Sequence, residues 1–178
     1  MHLGLASEEV IRTVAPFCHV VSFDFLVDED TIRDVYGFPA SGEDFLRTYS
    51  MLRQHVKVIP HICIGLHGGQ ISGELDALCA LTEIGADAIV FIVFIPTSGT
   101  LYENCMPPPI EGVARIIATA RCLFPQTPIY LGCMRPHGRY RHVLDPMAIR
   151  AGVNRIVVPS QEGRAEASEL GLNASWIE

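Results

Sequence analysis

Val56-Lys57-Val58-Ile59-Pro60-His61-Ile62-Cys63-Ile64 and Ala88-Ile89-Val90-Phe91-Ile92-Val93-Phe94-Ile95 are two apolar runs too continuous for strands with one wet face. Between them stand a glycine-rich turn, Gly65-Leu66-His67-Gly68-Gly69-Gln70, and a stretch in which Leu75, Leu78, Cys79, Leu81 and Ile84 recur at helical spacing. Ser72 reads as the cap of that helix, predicted over residues 73–84, and Gly85 as its stop. Strand, helix and strand in succession form the unit of a parallel sheet, and the crossover between its strands is right-handed.

Working outward, the alternation continues in both directions. Strands are predicted over residues 2–5, 20–25, 56–64, 88–95, 128–133 and 155–158. Ser41 ahead of Glu43 and Asp44 is a capping arrangement for a helix with Phe45, Leu46, Tyr49, Met51 and Leu52 on its apolar face. Asp28, Glu29 and Asp30 read as a helix start favoured by the dipole. Pro109 opens a helix running to Phe124, and Pro125 ends it. Asp145-Pro146 reads as a cap followed by proline at the first helical position, with the helix ending near Gly152. The expected fold is α/β, a partial (β/α) TIM-type barrel of about six parallel strands with flanking helices. Residues 1–178 are read as one domain, because no linker or low-complexity stretch divides them.

Bulk properties narrow the function. A complete eight-stranded barrel needs about 250 residues, and the chain has 178. A net charge of −7 argues against a nucleic-acid partner, since phosphates are held by basic surfaces. No run is long and apolar enough for a membrane span, and the first residues lack the pattern of a signal peptide, so the expected location is the cytoplasm. The six cysteines are scattered, with Cys122 and Cys133 the nearest pair, so a disulfide framework is not expected. Cys63, Cys79 and Cys122 lie in apolar surroundings and read as buried thiols.

Parallel α/β folds bind ligands at the carboxyl ends of their strands. The residues in those places are Asp24, the turn from Gly65 to Gln70 with His67, Pro96-Thr97-Ser98-Gly99-Thr100, Arg135 with Arg139 and Arg141, and Ser160. Glycine, hydroxyls, histidine and arginine on one rim suit a small organic ligand, and arginine can clamp a carboxylate or phosphate. Asp24, His67, Arg135 and Ser160 are the candidate substrate contacts. Asp24 has two readings: a salt bridge to a neighbouring cation or a ligand contact. His61 reads as a histidine of the barrel interior. Cys133 and His137 are read as a buried strand end and a turn residue, so no metal site and no catalytic residue is assigned.

These segments carry a resemblance. Phe94-Ile95-Pro96-Thr97-Ser98-Gly99-Thr100-Leu101 is similar to the P-x-x-G-T segment ending the sixth strand of the biotin-synthase-type radical SAM barrel. Arg115-Ile116-Ile117-Ala118-Thr119-Ala120-Arg121 with Phe124-Pro125 resembles the helix that follows, and Ile129-Tyr130-Leu131-Gly132-Cys133-Met134-Arg135 the seventh strand. Ala151-Gly152-Val153-Asn154-Arg155-Ile156 resembles the entry to the eighth strand, and Ile62-Cys63-Ile64-Gly65-Leu66 the glycine turn of the fifth. Split lipoyl synthases, methylornithine synthase and hydrogenase-maturation enzymes share that barrel.

The resemblance implies that Ile64, Gly65, Ile95, Pro96 and Thr97 contact S-adenosylmethionine. It covers roughly residues 57–158. The CxxxCxxC that holds the family's 4Fe-4S cluster is absent, so this chain alone does not support that cluster. Where the family has an acidic residue after the glycine turn, this chain has His67-Gly68-Gly69-Gln70, and where biotin synthase has an arginine on the seventh strand it has Tyr130.

The implied function is the C-terminal part or split subunit of a radical SAM enzyme of cofactor biosynthesis, inactive without a cluster-bearing segment. The alternatives are a cluster-free small-molecule-binding scaffold and a metal-dependent barrel lyase. A Schiff-base enzyme is disfavoured because the sole lysine, Lys57, starts a strand and so lies on the wrong rim. An open barrel leaves edge strands and an apolar interior, so a second copy or a cluster-bearing partner chain is expected.

Overall fold

A computed structural model describes residues 1–175; residues 176–178, part of the expected single domain, lie outside them. Five parallel strands occur in chain order: β1 (Val20–Asp24), β2 (Lys57–Ile64), β3 (Ile89–Val93), β4 (Ile129–Leu131) and β5 (Arg155–Ile156). The helices are α1 (Glu8–Val14), a single turn α2 (Glu29–Thr31) that widens into a π-turn over Ile32–Tyr36, α3 (Gly42–Arg53), α4 (Glu74–Ile84), α5 (Ile110–Leu123), α6 (Arg139–Arg150) and α7 (Gln161–Glu169).

Sequential strand order with crossovers of one hand puts the helices on one face of the sheet. Burial follows that geometry with a period of two. Val21, Phe23, Val58, Ile62, Ile64, Ile89, Phe91, Val93, Ile129 and Leu131 are buried under the helices, while Ser22, Ile59, His61, Cys63, Val90, Ile92 and Tyr130 on the other face are half-exposed. The sheet is therefore an arc of a barrel with its inner face open. Phe23, Phe25, Phe45 and Tyr49 form the aromatic heart of the helical layer, each worth about 1.5–3 kcal/mol of burial.

Local chemistry accounts for the boundaries. Ser41 and Asp44 form a reciprocal capping box at α3, whose core face is Phe45, Tyr49 and Leu52. Asp28 caps α2 through the Thr31 amide. Pro60 sits inside β2 without penalty, because pairing with β3 begins at the next residue, His61.

Several expectations are corrected. Residues 2–5 form a single parallel bridge from His2 to Ser22, not a sixth strand; the chain peels away because Ser7 caps α1 just beyond. Helix α4 is capped by Gly73 in the left-handed region, not by Ser72, and its buried stripe is Glu74, Ala77, Leu78 and Leu81, which leaves Leu75 and Cys79 exposed. Cys122 is exposed and Cys63 half-buried. Asp145 and Pro146 lie inside α6, which begins at Arg139.

The reason for the last correction is an ion pair. Arg135 and Asp145 are both wholly buried. Arg135 Nε and Nη2 donate to Asp145 Oδ1 and Oδ2 at 2.8 and 2.9 Å. Nη1 donates to the carbonyls of Gly132 and Val157, and Nη2 also to that of Val158. All five N–H donors of the guanidinium are thereby spent on the protein. Asp145 Oδ2 also accepts the Ser160 amide at 2.7 Å, so one carboxylate ties α6 to the start of α7. Removing Asp145 leaves a buried, uncompensated guanidinium. Asp145→Ala is expected to cost about 3–5 kcal/mol, read as a lower urea midpoint; a loss within error of zero would show that the pair holds nothing together.

Candidate functional site

The open face carries one register row of mostly polar side chains across all five strands: Asp24, His61, Val90, Tyr130 and Arg155. Neighbours in a parallel row point to the same side. Arg155 stacks over the Tyr130 ring at 5.0 Å, and His61 meets His2 edge-on at 5.3 Å. His61 Nδ1 lies 3.1 Å from the Ile59 carbonyl; a carbonyl only accepts, so Nδ1 carries the proton and Nε2 is left as an acceptor. Burial lowers the His61 pKa, favouring the neutral ring.

At the carboxyl ends of β1 and β2 the open face deepens into a cavity of about 120 Å³ whose polar wall includes Asp24, Tyr36, His61, His67 and Glu74. Asp24 is exposed and forms no ion pair among the described residues; the Tyr36 hydroxyl lies 3.5 Å from its Oδ2. His67 Nε2 is 3.3 Å from Asp34 Oδ2. Burial pushes the Cys63 thiol up to about 12, so this thiol is not a nucleophile at neutral pH.

Glu74 is the residue that pattern reading missed. It opens α4, where a glutamate ordinarily signals no more than a helix start. Here its side chain turns inward and is 5% exposed. Oε1 accepts the Gly65 amide at 2.8 Å, and Oε2 has no hydrogen-bond partner. Burial raises the carboxyl from its ordinary 4.5 to about 7, while the amides of Gly65, Glu74 and Ser72 pull the other way without satisfying Oε2.

The rim candidates divide. The Phe94 amide donates to the Ile64 carbonyl at 2.9 Å, which sets Ile64 and Gly65 beside Ile95, Pro96 and Thr97. Asp24 and His67 reach the cavity. Arg135 and Ser160 lie elsewhere: the former is in the buried ion pair, and the latter caps α7 through the Gly163 amide. Of the other rim arginines, Arg139 is exposed and Arg141 donates to the Cys133 and Arg135 carbonyls. Cys133 is exposed rather than a buried strand end. The glycine turn is also committed. A side chain at Gly65 would strike Pro108, and one at Gly69 would overlap the Met106 carbonyl, so these glycines admit the neighbouring loop.

Comparison with known proteins agrees with the geometry. No protein-family model matches the chain. It is 24% identical over 137 residues to the biotin synthase of Ruthia magnifica subsp. Calyptogena magnifica, covering 74% of this chain and 42% of that one. The crystal structure of methylornithine synthase (PylB) superposes with a TM-score of 0.70 at 14% identity, over 97% of this chain and 57% of that one. That of HydG, a maturase of the FeFe-hydrogenase, gives 0.66 at 13% identity, over 87% and 36%.

The fold is that of a biotin-synthase-like radical SAM barrel.

The chain thus spans less than two thirds of each of these relatives. In this barrel the acidic partner of the glycine turn arrives from Glu74, later than the resemblance implies, and it grips Gly65. Among the described residues no three His, Cys, Asp or Glu side chains come together as a metal site. The thiols of this chain therefore do not fit an iron–sulfur cluster, and no chemical step is derived through one. No helix among them is long and apolar enough to cross a membrane.

The raised Glu74 carboxyl makes a prediction about stability. The folded chain keeps a proton that the unfolded chain releases above 4.5. Stability from this group is full below that value and is lost as the pH rises to about 7. Glu74→Gln is expected to match the parent at about pH 4, below the unfolded value, and exceed it by up to about 3 kcal/mol at about pH 8. Urea unfolding at both values checks this; an equal gap at both would show that Glu74 ionises as if exposed.

Proposed function

We propose that this chain is the C-terminal part, or a split subunit, of a radical SAM enzyme of the biotin synthase and lipoyl synthase-like group, acting in cofactor biosynthesis in the cytoplasm. The observation that carries the reading is the Phe94–Ile64 bond, which sets Ile64, Gly65, Ile95, Pro96 and Thr97 side by side on the rim of a barrel of this fold. These five residues would hold S-adenosylmethionine, Ile95 and Pro96 offering half-buried apolar surface and Thr97 an exposed polar edge. S-adenosylmethionine supplies the radical chemistry once a cluster delivers an electron to its sulfonium. This chain contributes the rim, the polar row of the open face and the cavity at the ends of β1 and β2.

The cluster would come from another chain or segment. The two-residue β5 leaves one sheet edge open to pairing, whereas Met1 and Leu3 already bond along the β1 edge, and the half-exposed inner face would be covered by a contact at the β5 side. A second copy is the competing occupant. In a cluster-free scaffold reading, favoured by the dispersed thiols, the same rim binds a small molecule without turnover.

The isolated chain, reconstituted anaerobically with iron and sulfide, is expected to bind S-adenosylmethionine saturably and to form no 5′-deoxyadenosine. Turnover by the isolated chain would sink the split-subunit reading, and failure to bind would sink the rim assignment. Light scattering across a concentration series is expected to give a mass above the 19.5 kDa of one chain. A constant single-chain mass, with no cluster-bearing protein recovered alongside, would defeat the association.

A further inference from the structure

The cavity under the open face has a one-sided wall. No lysine or arginine lines it. His67 is engaged with Asp34, and the His61 proton is committed to the Ile59 carbonyl. What remains is chiefly acceptors: the Asp24 and Asp28 carboxylates, His61 Nε2 and the ionised Glu74 Oε2. The Tyr36 and Thr31 hydroxyls point their protons at Asp24 and Asp28, and only the Ser72 hydroxyl is left over. Glu74 gives this cluster more weight than its acidity would, because it is 5% exposed, lines the cavity and has an oxygen with no partner. Phe25, Leu26, Leu66 and Ile92 supply hydrocarbon beside these acceptors. A group that only donates, on an aliphatic stem, matches both halves of the wall; an anion would meet uncompensated carboxylates.

We propose that this cavity binds the aliphatic ammonium group of a small organic substrate, with Asp24 and Glu74 as its counter-charges. Glu74 releases its proton to solvent as the ammonium enters. The inference rests on the rim being a ligand site and deepens that reading by naming the substrate class. Size restricts what enters: about 120 Å³ is well under the roughly 300–1,000 Å³ of pockets that enclose a whole ligand. The cavity takes an amino group and its first methylenes, and the body of the substrate lies on the open face, apart from Ile95, Pro96 and Thr97.

The Gly65 amide, bonded to Glu74 Oε1, is a built-in reporter. In amide NMR spectra of the intact chain, propylammonium is expected to shift Gly65 and His61 saturably, whereas propionate and 1-propanol are not. Glu74→Gln should keep the dispersed spectrum and weaken propylammonium about tenfold. Asp24→Asn, at an exposed position that does not threaten folding, should weaken it by a smaller factor. Equal response to propionate or 1-propanol, or unchanged affinity in the variants, overturns the proposal. Saturating S-adenosylmethionine should leave the propylammonium shifts in place; displacement would assign the ammonium to that molecule and overturn the substrate assignment. Loss of the Gly65 response while S-adenosylmethionine still shifts Thr97 removes this inference alone. A Gly65 response without any Thr97 response strikes instead at the rim reading.

Discussion

Parallel strands laid down in chain order, joined by crossovers of one hand, leave a sheet no choice about its two faces. Every helix returns on the same side, and the other side stays open. All else in this molecule follows from that asymmetry. The helical side is filled with phenylalanine, isoleucine, leucine and valine, as a close-packed layer demands. The open side can carry charge without the penalty of burial, and Asp24, His61, Tyr130 and Arg155 occupy it in one row. A doubly wound sheet with these strands would have buried that row under helices.

A second constraint holds the far end of the arc. β5 has only two residues and cannot fix its own place by ladder bonds. The Arg135 guanidinium does so, reaching the carbonyls of Val157 and Val158 just past the strand. Val158 adopts φ +49°, a conformation costly for a β-branched residue, and the bonds to Arg135 and the tie between Ser160 and Asp145 on either side hold it there. An arginine that looks like a ligand clamp in the sequence is therefore a structural hub, and its substitution would damage the rim indirectly.

How far the sequence could be read depended on how local each signal was. The strands from residue 20 to 133 are continuous apolar runs between turn residues, and these were legible. The bridge at His2 was not, because one bridge and a short strand share the same residues. Helices α1 and α7 escaped because they bury little: α7 buries only Gly163, Glu166 and Ala167. Asp145-Pro146 has the local form of a helix start, and only Arg135, on a different element, reveals otherwise. At the site, Asp24 and His67 were legible from their position after strands. Glu74 was not, since an inward-turned carboxylate and a dipole-favoured one look alike in sequence.

The glycine turn shows how one sequence feature can serve two masters. Glycine at positions 65 and 69 permits positive φ and close approach, properties equally suited to a ligand or to another loop. Here the 106–108 segment takes the close approach, and Glu74 takes the Gly65 amide. The outer side of the turn is thereby closed, and its strand-facing side remains. A ligand at this rim must then arrive over the open face, past the row from Asp24 to Arg155. Charge along that row is segregated, with the carboxylate on β1 and the guanidinium on β5, four strand spacings of about 4.8 Å away along the sheet. Arg155 therefore takes no part in the cavity that Asp24 and Glu74 line. The far half of the face, where Arg155 stacks on Tyr130, is a surface separate from the cavity.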